Sequence, residues 1–417
     1  MLYITGVQSL ETVHAANQQS AAALDASDPL APFLQRFAPI PDGLAYLDGN
    51  SLGRLPSQTR HDLQRVLQHE WGERLIRGWD EGWMELPAQV GDRLGRHLLG
   101  ARPGTTLVAD STSVCFYKLA AAALAARPGR RTIVTDTDNF PTDRYIVEGL
   151  AQRTGRTINW IGSDPRSGPQ PEQVGTALQT GDVALVTFSH VSYRSSHIAD
   201  MRAITRLAHD AGALVLWDLS HTAGSVPVAL DVDDVDLAVG CTYKYLNGGP
   251  GAPAFLYVNH RLVDELRQPI QGWLGRADPF TMGPGYEPAK GIAKFTSGTP
   301  PVLALTATQT GIELCIEAGI AAIRAKSTQL TGYAIELADE LLAPHGVTVG
   351  SPRDPSRRGG HVALVHERAR DLTAELAQRD VIVDFRAPDV IRIGLSPLTT
   401  RFADVHAGLA TLKELLD

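Results

Sequence analysis

The feature that most constrains this chain is the alternation of short apolar runs with amphipathic stretches through its middle third. Residues 132–135, 183–188 and 213–217 are strongly apolar and bounded by Gly, Asp or Ser, the pattern of strands buried on both faces of a parallel sheet. Between them, residues 142–153 and 198–211 repeat apolar side chains at three- and four-residue spacing, as amphipathic helices do. Strand and helix in alternation predict an α/β fold, a mostly parallel central sheet flanked by helices. After Pro300 and Pro301 the register changes. A long helical pattern over 302–342, broken near Gly319, leads into strand-like stretches at 361–365, 381–385 and 390–395, with helices expected over 368–378 and 401–416. This predicts a smaller α+β C-terminal domain. The expected organisation is therefore an N-terminal segment, 1–45, packing on the small domain or on a partner subunit, then a large domain, 46–300, then a long connecting helix and small domain, 301–417.

Composition narrows the function classes. In 417 residues, 43% hydrophobic content against 20% charged supports a folded core without disulfide staples. Thirty-eight basic against 46 acidic residues give a net charge of -8, so no basic field favours nucleic acid or an anionic membrane surface. Cys115, Cys241 and Cys315 form no CxxC pair and read as reduced core thiols. Glu11, His14 and Asn17 interrupt any apolar signal core. The small-apolar run over 119–126 is too short to cross a bilayer. A cytoplasmic protein is expected, with neither a nucleic-acid nor a membrane partner and no metal site.

Three places could carry chemistry. The apolar run from Val235 ends in Thr242-Tyr243-Lys244-Tyr245 and then Asn247-Gly248-Gly249-Pro250-Gly251. A lysine closing a strand beside a glycine-rich turn has room for a bulky planar group, and partial desolvation would lower its pKa towards nucleophilic use. Upstream, the run over 213–217 delivers Asp218 at a strand's C-terminal end, where open α/β sheets bind ligands; a carboxylate there can pair with a protonated heteroaromatic nitrogen. Asp110-Ser111-Thr112-Ser113 precedes a helical run over 114–126, placing hydroxyls and free N–H groups at a helix N-terminus, where phosphate binds. Taken singly, each has a plainer reading: a solvated turn lysine, an aspartate capping the next turn, a serine acting only as a helix cap. Together, in this chain order, a phosphate cradle, a pyridine-nitrogen partner and an imine-forming lysine are the parts of a fold-type I pyridoxal-phosphate enzyme.

Specific strings sharpen this. Tyr46-Leu-Asp-Gly-Asn-Ser-Leu-Gly53, Arg77-Gly-Trp79, Asn139-Phe-Pro-Thr-Asp143, His190-Val-Ser-Tyr-Arg194, Trp217-Asp-Leu-Ser-His-Thr-Ala-Gly224, Tyr243-Lys-Tyr-Leu-Asn-Gly-Gly249 and Phe295-Thr-Ser-Gly-Thr-Pro300 occur in family order, followed by a weaker match at Arg392-Ile-Gly-Leu-Ser396. In these the chain resembles the kynureninase family. The resemblance implies a class V aminotransferase-like homodimer whose active site is shared between subunits. It further implies hydrolysis of L-kynurenine to anthranilate and L-alanine with pyridoxal 5'-phosphate, in tryptophan catabolism by the kynurenine pathway that feeds NAD biosynthesis.

By the same resemblance, Lys244 would hold the coenzyme and shuttle the α-proton, Asp218 would pair with the pyridine nitrogen, and Phe140 would stack on the ring. Thr112, Ser113, Tyr243 and Trp273 would contact the phosphate, with Thr299 reaching across from the other subunit, and Asp143 and His221 would line the coenzyme site. Tyr243 would also be the acid that protonates the alanine fragment. Arg392 would grip the substrate carboxylate, with Asn50, Ser51, Trp79, Gly298 and Thr299 also on the substrate. Arg392 lies in a strand-like stretch, where a nearby Asp could satisfy it instead. The set Trp79, Gly298 and Thr299 resembles the bacterial type, and an indole offers no acceptor to an added ring hydroxyl, so 3-hydroxykynurenine is the expected poorer substrate. The phosphate loop departs from the family pattern, which has Asn where Cys115 stands; Cys115 is expected to be a small core residue. The alternatives are another class V enzyme such as a cysteine desulfurase, which needs a nucleophilic cysteine on a mobile loop, and a coenzyme-binding protein without turnover.

Overall fold

The computed structural model describes residues 10–417. Helix α1 (Leu10–Ala26) leads through the two-residue strand β1 (Ala45–Tyr46) to α2 (Ser57–Arg65) and α3 (Leu86–Leu94). There follow β2 (Thr106–Ala109), α4 (Thr112–Ala125), β3 (Thr132–Asp136), α5 (Pro141–Thr154), β4 (Thr157–Ile161), α6 (Pro171–Leu178), β5 (Val183–Ser189), α7 (Met201–Asp210), β6 (Leu214–Asp218), β7 (Leu237–Gly240) and β8 (Ala254–Val258). Seven of these strands form one sheet in the order β2-β8-β7-β6-β5-β3-β4, parallel except where β8 runs against both of its neighbours. Strands β2, β5, β6, β7 and β8 are buried along almost their whole length, which is why they are apolar runs rather than alternating ones. One hydrophobic core covers each face of the sheet.

Helix α8 (Val302–Ala318) packs into the large core through Leu305, Ile312, Leu314 and Cys315. At Gly319, with φ +79°, the chain breaks from α8 and enters α9 (Ile320–Leu337), whose C-terminal half turns onto a third core. That core also holds β9 (Thr348–Val349), β10 (His361–Val365), α10 (Ala369–Ala377), β11 (Val381–Ile382), β12 (Asp384–Arg386), β13 (Val390–Gly394) and α11 (Phe402–Leu416). Four of these strands make an antiparallel sheet in the order β12-β13-β10-β9. The single strand expected over 381–385 is in fact two: β11 pairs in parallel with β1, and β12 joins β13. Helix α1 lies against α11, and the Asp25 carboxylate accepts from the backbone N–H of Phe402 (2.8 Å) and Ala403 (3.0 Å), capping α11. Asp28 and Lys326 form a nearly buried ion pair at 2.7 Å. Among the described residues no helix is long and apolar enough to cross a membrane.

Candidate active site

The C-terminal ends of β2, β3, β5, β6 and β7 face one cavity, lined by Thr112, Ser113, Phe140, Thr142, Asp143, Ser189, Tyr193, Asp218, Ser220, His221, Tyr243 and Lys244. This is where a parallel sheet offers loop ends and helix N-termini to a ligand. Ser111 starts α4 as its N-cap, its Oγ accepting from Val114 N–H at 3.4 Å. Thr112 and Ser113 are thereby left in the first turn with N–H groups that no helix carbonyl satisfies. Phe140 stands at the start of α5 and packs edge-on against Tyr193, centroids 5.4 Å apart. Lys244 Nζ lies 3.2–3.3 Å from the His221 ring nitrogens, and about 6 Å from the Phe140 and Tyr243 ring centres.

Burial dominates the electrostatics. Loss of water pulls the Lys244 amine below the ordinary lysine range, with Arg392 and Arg386 pushing the same way against Cys241 and Asp218. The same desolvation, then the Lys244 charge, holds His221 well below the usual imidazole range, so the nitrogen facing Lys244 is neutral. Tyr243 is pushed upwards, chiefly by burial, and stays a proton donor at neutral pH. Asp143, 2% exposed, is raised well above the carboxylate range by burial and then by the charge of Asp218. Two buried carboxyls facing each other need a cation between them or a proton on one.

A relative of known name decides the family. The chain is 43% identical to a kynureninase of Pseudomonas fluorescens over 402 residues, covering 95% of this chain and 94% of the relative. The chain belongs to the kynureninase family. A second kynureninase, from Burkholderia pseudomallei, is 42% identical over 96% of this chain and 95% of the relative, and the kynureninase C-terminal domain family matches residues 323–412. Among solved structures, an apo cysteine desulfurase from Thermococcus onnurineus NA1 is similar with a TM-score of 0.77 and 20% identity, over 92% of this chain and 97% of that one. A C-DES mutant with glycine covalently linked to its PLP cofactor gives a TM-score of 0.79 at 19% identity, over 89% of this chain and 97% of that one. At those identities the likeness is one of fold, that of fold-type I pyridoxal-phosphate enzymes.

The kynureninase resemblance singled out residues that the fold places in three groups. Thr112, Ser113, Phe140, Asp143, Asp218, His221, Tyr243 and Lys244 share the cavity. Arg392, Asn50 and Ser51 lie beside it on the C-terminal side: Arg392 is 1% exposed, its Nη1 donates to the Tyr193 carbonyl at 2.6 Å, and its Nη2 donates to Ser51 Oγ at 3.1 Å and to Asp384. A nearby aspartate does therefore occupy this arginine. Asn50 is fully buried, both amide atoms without a partner among the described residues, and its Oδ1 fills the space where a side chain on Gly394 would begin. The third group lies outside the chain's own cavity. Trp273 is 39% exposed, edge-on to Phe280 at 6.1 Å; Gly298 and Thr299 are exposed; Trp79 packs edge-on to Trp83 at 5.1 Å in a separate apolar recess.

Thr142, Ser189, Tyr193 and Ser220 line the cavity without having been singled out. Ser189 ends β5, and that strand end was the available signal. The glycine-rich turn also does something other than expected. Neither Gly248, Gly249 nor Gly251 lines the cavity. A Cβ at Gly248 would stand 2.9 Å from both Thr242 O and Thr308 Oγ1, whereas Gly249 and Gly251 take φ of +87° and +76°. Helix packing and a left-handed backbone explain these glycines better than close approach of a ring. Cys115 is a core residue, its Sγ 3.2 Å from Ala109 O and its thiol pushed up to about 12 by burial.

The donor set fits pyridoxal 5'-phosphate. A depressed amine suits its aldehyde, the Asp143–Asp218 pair suits a protonated ring nitrogen, Phe140 offers a ring face, and the start of α4 suits the phosphate. Asp143 Oδ2, buried and without a donor among the described residues, is the open valence that such a cation would meet.

Proposed function

We propose that this chain hydrolyses L-kynurenine to anthranilate and L-alanine, with pyridoxal 5'-phosphate held at Lys244. The observation that carries this reading is a buried lysine, its pKa lowered, set against a neutral histidine and across one cavity from a buried acid pair. The coenzyme's ring, kept protonated by Asp218, supplies an electron sink for charge developing on the substrate's α- and β-carbons. The chain's own residues do the rest. Lys244 is free to take the α-proton because burial leaves it an amine of moderate basicity. Tyr243, held protonated, returns a proton to the alanine fragment after water has entered at the carbonyl carbon and the bond between that carbon and Cβ has broken. One water is consumed, its oxygen ending in the anthranilate carboxylate. Arg392 holds the substrate's carboxylate, beside Asn50 and Ser51.

Trp273, Thr299, Gly298 and Trp79 stand away from their own chain's cavity, so we assign them to a homodimer in which each chain completes its neighbour's site: Trp273 and Thr299 at the phosphate, Trp79, Gly298 and Thr299 at the aryl ring. On this reading residues 46–300 are the coenzyme-binding unit, 301–417 the connecting helix and small domain. The protein works in the cytoplasm within the kynurenine pathway, without nucleic acid or membrane.

The desulfurase alternative lacks its nucleophile. Cys115, Cys241 and Cys315 are all buried, and desolvation raises each thiol. The test is purified protein with coenzyme and kynurenine, followed by anthranilate fluorescence, beside Lys244→Ala. Wild type should release anthranilate, faster than it releases the hydroxylated product from 3-hydroxykynurenine, and the variant should be slower by roughly 10³-fold or more. A wild-type protein that binds the coenzyme yet releases no anthranilate would leave the non-catalytic reading standing.

A further inference from the structure

We propose that Arg386 is a second guanidinium for the substrate carboxylate, acting with Arg392, and that Asp384 is the strut that orients both; this rests on the kynurenine reading above. Strands β12 and β13 pair antiparallel with Asp384 opposite Arg392 and Arg386 two residues further along β12. Directly opposed residues share a sheet face, as do residues two apart on one strand, so the three side chains stand together. Asp384 Oδ2 accepts from Arg386 Nη2 at 2.7 Å, from Ser51 Oγ at 2.9 Å and from Arg392 Nη2. Arg392 Nη1 is taken by the Tyr193 carbonyl at 2.6 Å.

What remains is informative. Arg392 Nε and Arg386 Nε are both buried and without a hydrogen-bond partner among the described residues. A buried guanidinium N–H left unpaired is costly, and two on one face, held by a common carboxylate, suit a ligand with two anionic oxygens. The location is right as well: Tyr193, whose carbonyl fixes Arg392, lines the Lys244 cavity, and the Arg386 charge is felt at Lys244 and His221. Arg386, with its side chain 38% exposed against 1% for Arg392, sits nearer to solvent, where an incoming carboxylate arrives first.

The experiment compares wild-type, Arg386→Gln and Arg386→Lys holoenzymes with kynurenine and with its decarboxylated amine analogue, the latter's affinity read from the visible absorbance of the bound coenzyme. Arg386→Gln should raise KM for kynurenine roughly tenfold, the size of one charge-assisted hydrogen bond, with kcat falling less than KM rises. The analogue, having no carboxylate, should bind all three within about twofold of one another. Arg386→Lys should fall between, keeping the charge and losing the fork. An unchanged KM in Arg386→Gln, or equal weakening of both ligands, overturns the proposal while the parent reading stands. Wild-type enzyme that releases no anthranilate removes both.

Discussion

Burial sets the protonation of Lys244, Tyr243 and His221, and it acts in the same way on a histidine with no place in the chemistry. His190 follows β5, its backbone N–H donating to the Asp218 carbonyl at 2.9 Å and its Nδ1 lying 3.0 Å from Thr222 Oγ1. Loss of water lowers its pKa to about 3 from the usual 6.5. The folded chain therefore leaves this ring neutral while the unfolded chain protonates it as pH drops below 6.5. Stability contributed in this way is present above 6.5 and is lost as pH falls towards 3. Asp48 and Asp136, raised to about 6 mainly by burial, have the opposite sign, so the comparison has to be between variants. Between pH 7.5 and 5 one such histidine accounts for about 2 kcal/mol. His190→Gln should lower stability at pH 7.5, yet its further loss on going to pH 5 should be about 2 kcal/mol smaller than in wild type, read from urea unfolding at both pH values. Equal losses in the two proteins would show that the ring titrates normally.

At the scale of elements, helix α8 presses on the turn that follows Lys244. Ideal placement of a Cβ on Gly311 puts it 2.1 Å from the Leu246 carbonyl oxygen, and Cys315 Sγ lies 3.5 Å from Tyr245 O one helical turn on. Neither backbone can yield cheaply, so Gly311→Ala should destabilise by about 1–3 kcal/mol and slow anthranilate release well below the melting temperature, because the displaced turn carries Lys244. Gly332→Ala in α9, with nothing nearer than Arg358 Nη2 at 3.9 Å, is the control and should be neutral or slightly stabilising. If both variants melt alike, helix contact is not what fixes the turn. Contacts of this kind were not legible in the sequence. Three of the central strands were, because a run buried on both faces is apolar throughout; the structure extends two of them by a residue, to Asp136 and Ser189, and shifts the third to Leu214–Asp218. The end of β6 then gave Asp218, whereas β7 stops at Gly240, so the lysine expected to close a strand stands instead in the turn beyond it. The helix expected over 198–211 begins only at Met201, since Asp200 caps it through Ala203 N–H at 2.9 Å and Ile198 bridges to Val191. The pairing of β1 with β11 and the grip of Asp384 on Arg392 and Arg386 depend on tertiary register, for which a local pattern holds no signal.

At the scale of the molecule, the large apolar surface has to be accounted for. Trp71 is 55% exposed, Leu75 56% and Ile76 75%. Trp71, Trp79 and Trp83 line an apolar recess of about 470 Å³ together with Val66 and residues 300–304. A monomer rarely leaves so much apolar surface in water. Pro300, which lines the recess, directly follows Gly298 and Thr299 in the chain, two residues the proposed chemistry needs and the chain's own cavity lacks. Covering this face with a second copy would bury the tryptophans and bring those two residues towards the neighbour's substrate in one step, whereas an unrelated partner would do only the first. Sedimentation of the holoenzyme should therefore give a dimer. The double variant Trp71→Glu, Leu303→Glu, which alters nothing in the Lys244 cavity, should sediment as a folded monomer and lose kynurenine turnover by about 10²-fold or more, since half of each aryl site would be missing. A monomer that keeps wild-type turnover would mean that one chain suffices, and that Trp79 and Thr299 serve the fold rather than the neighbouring site.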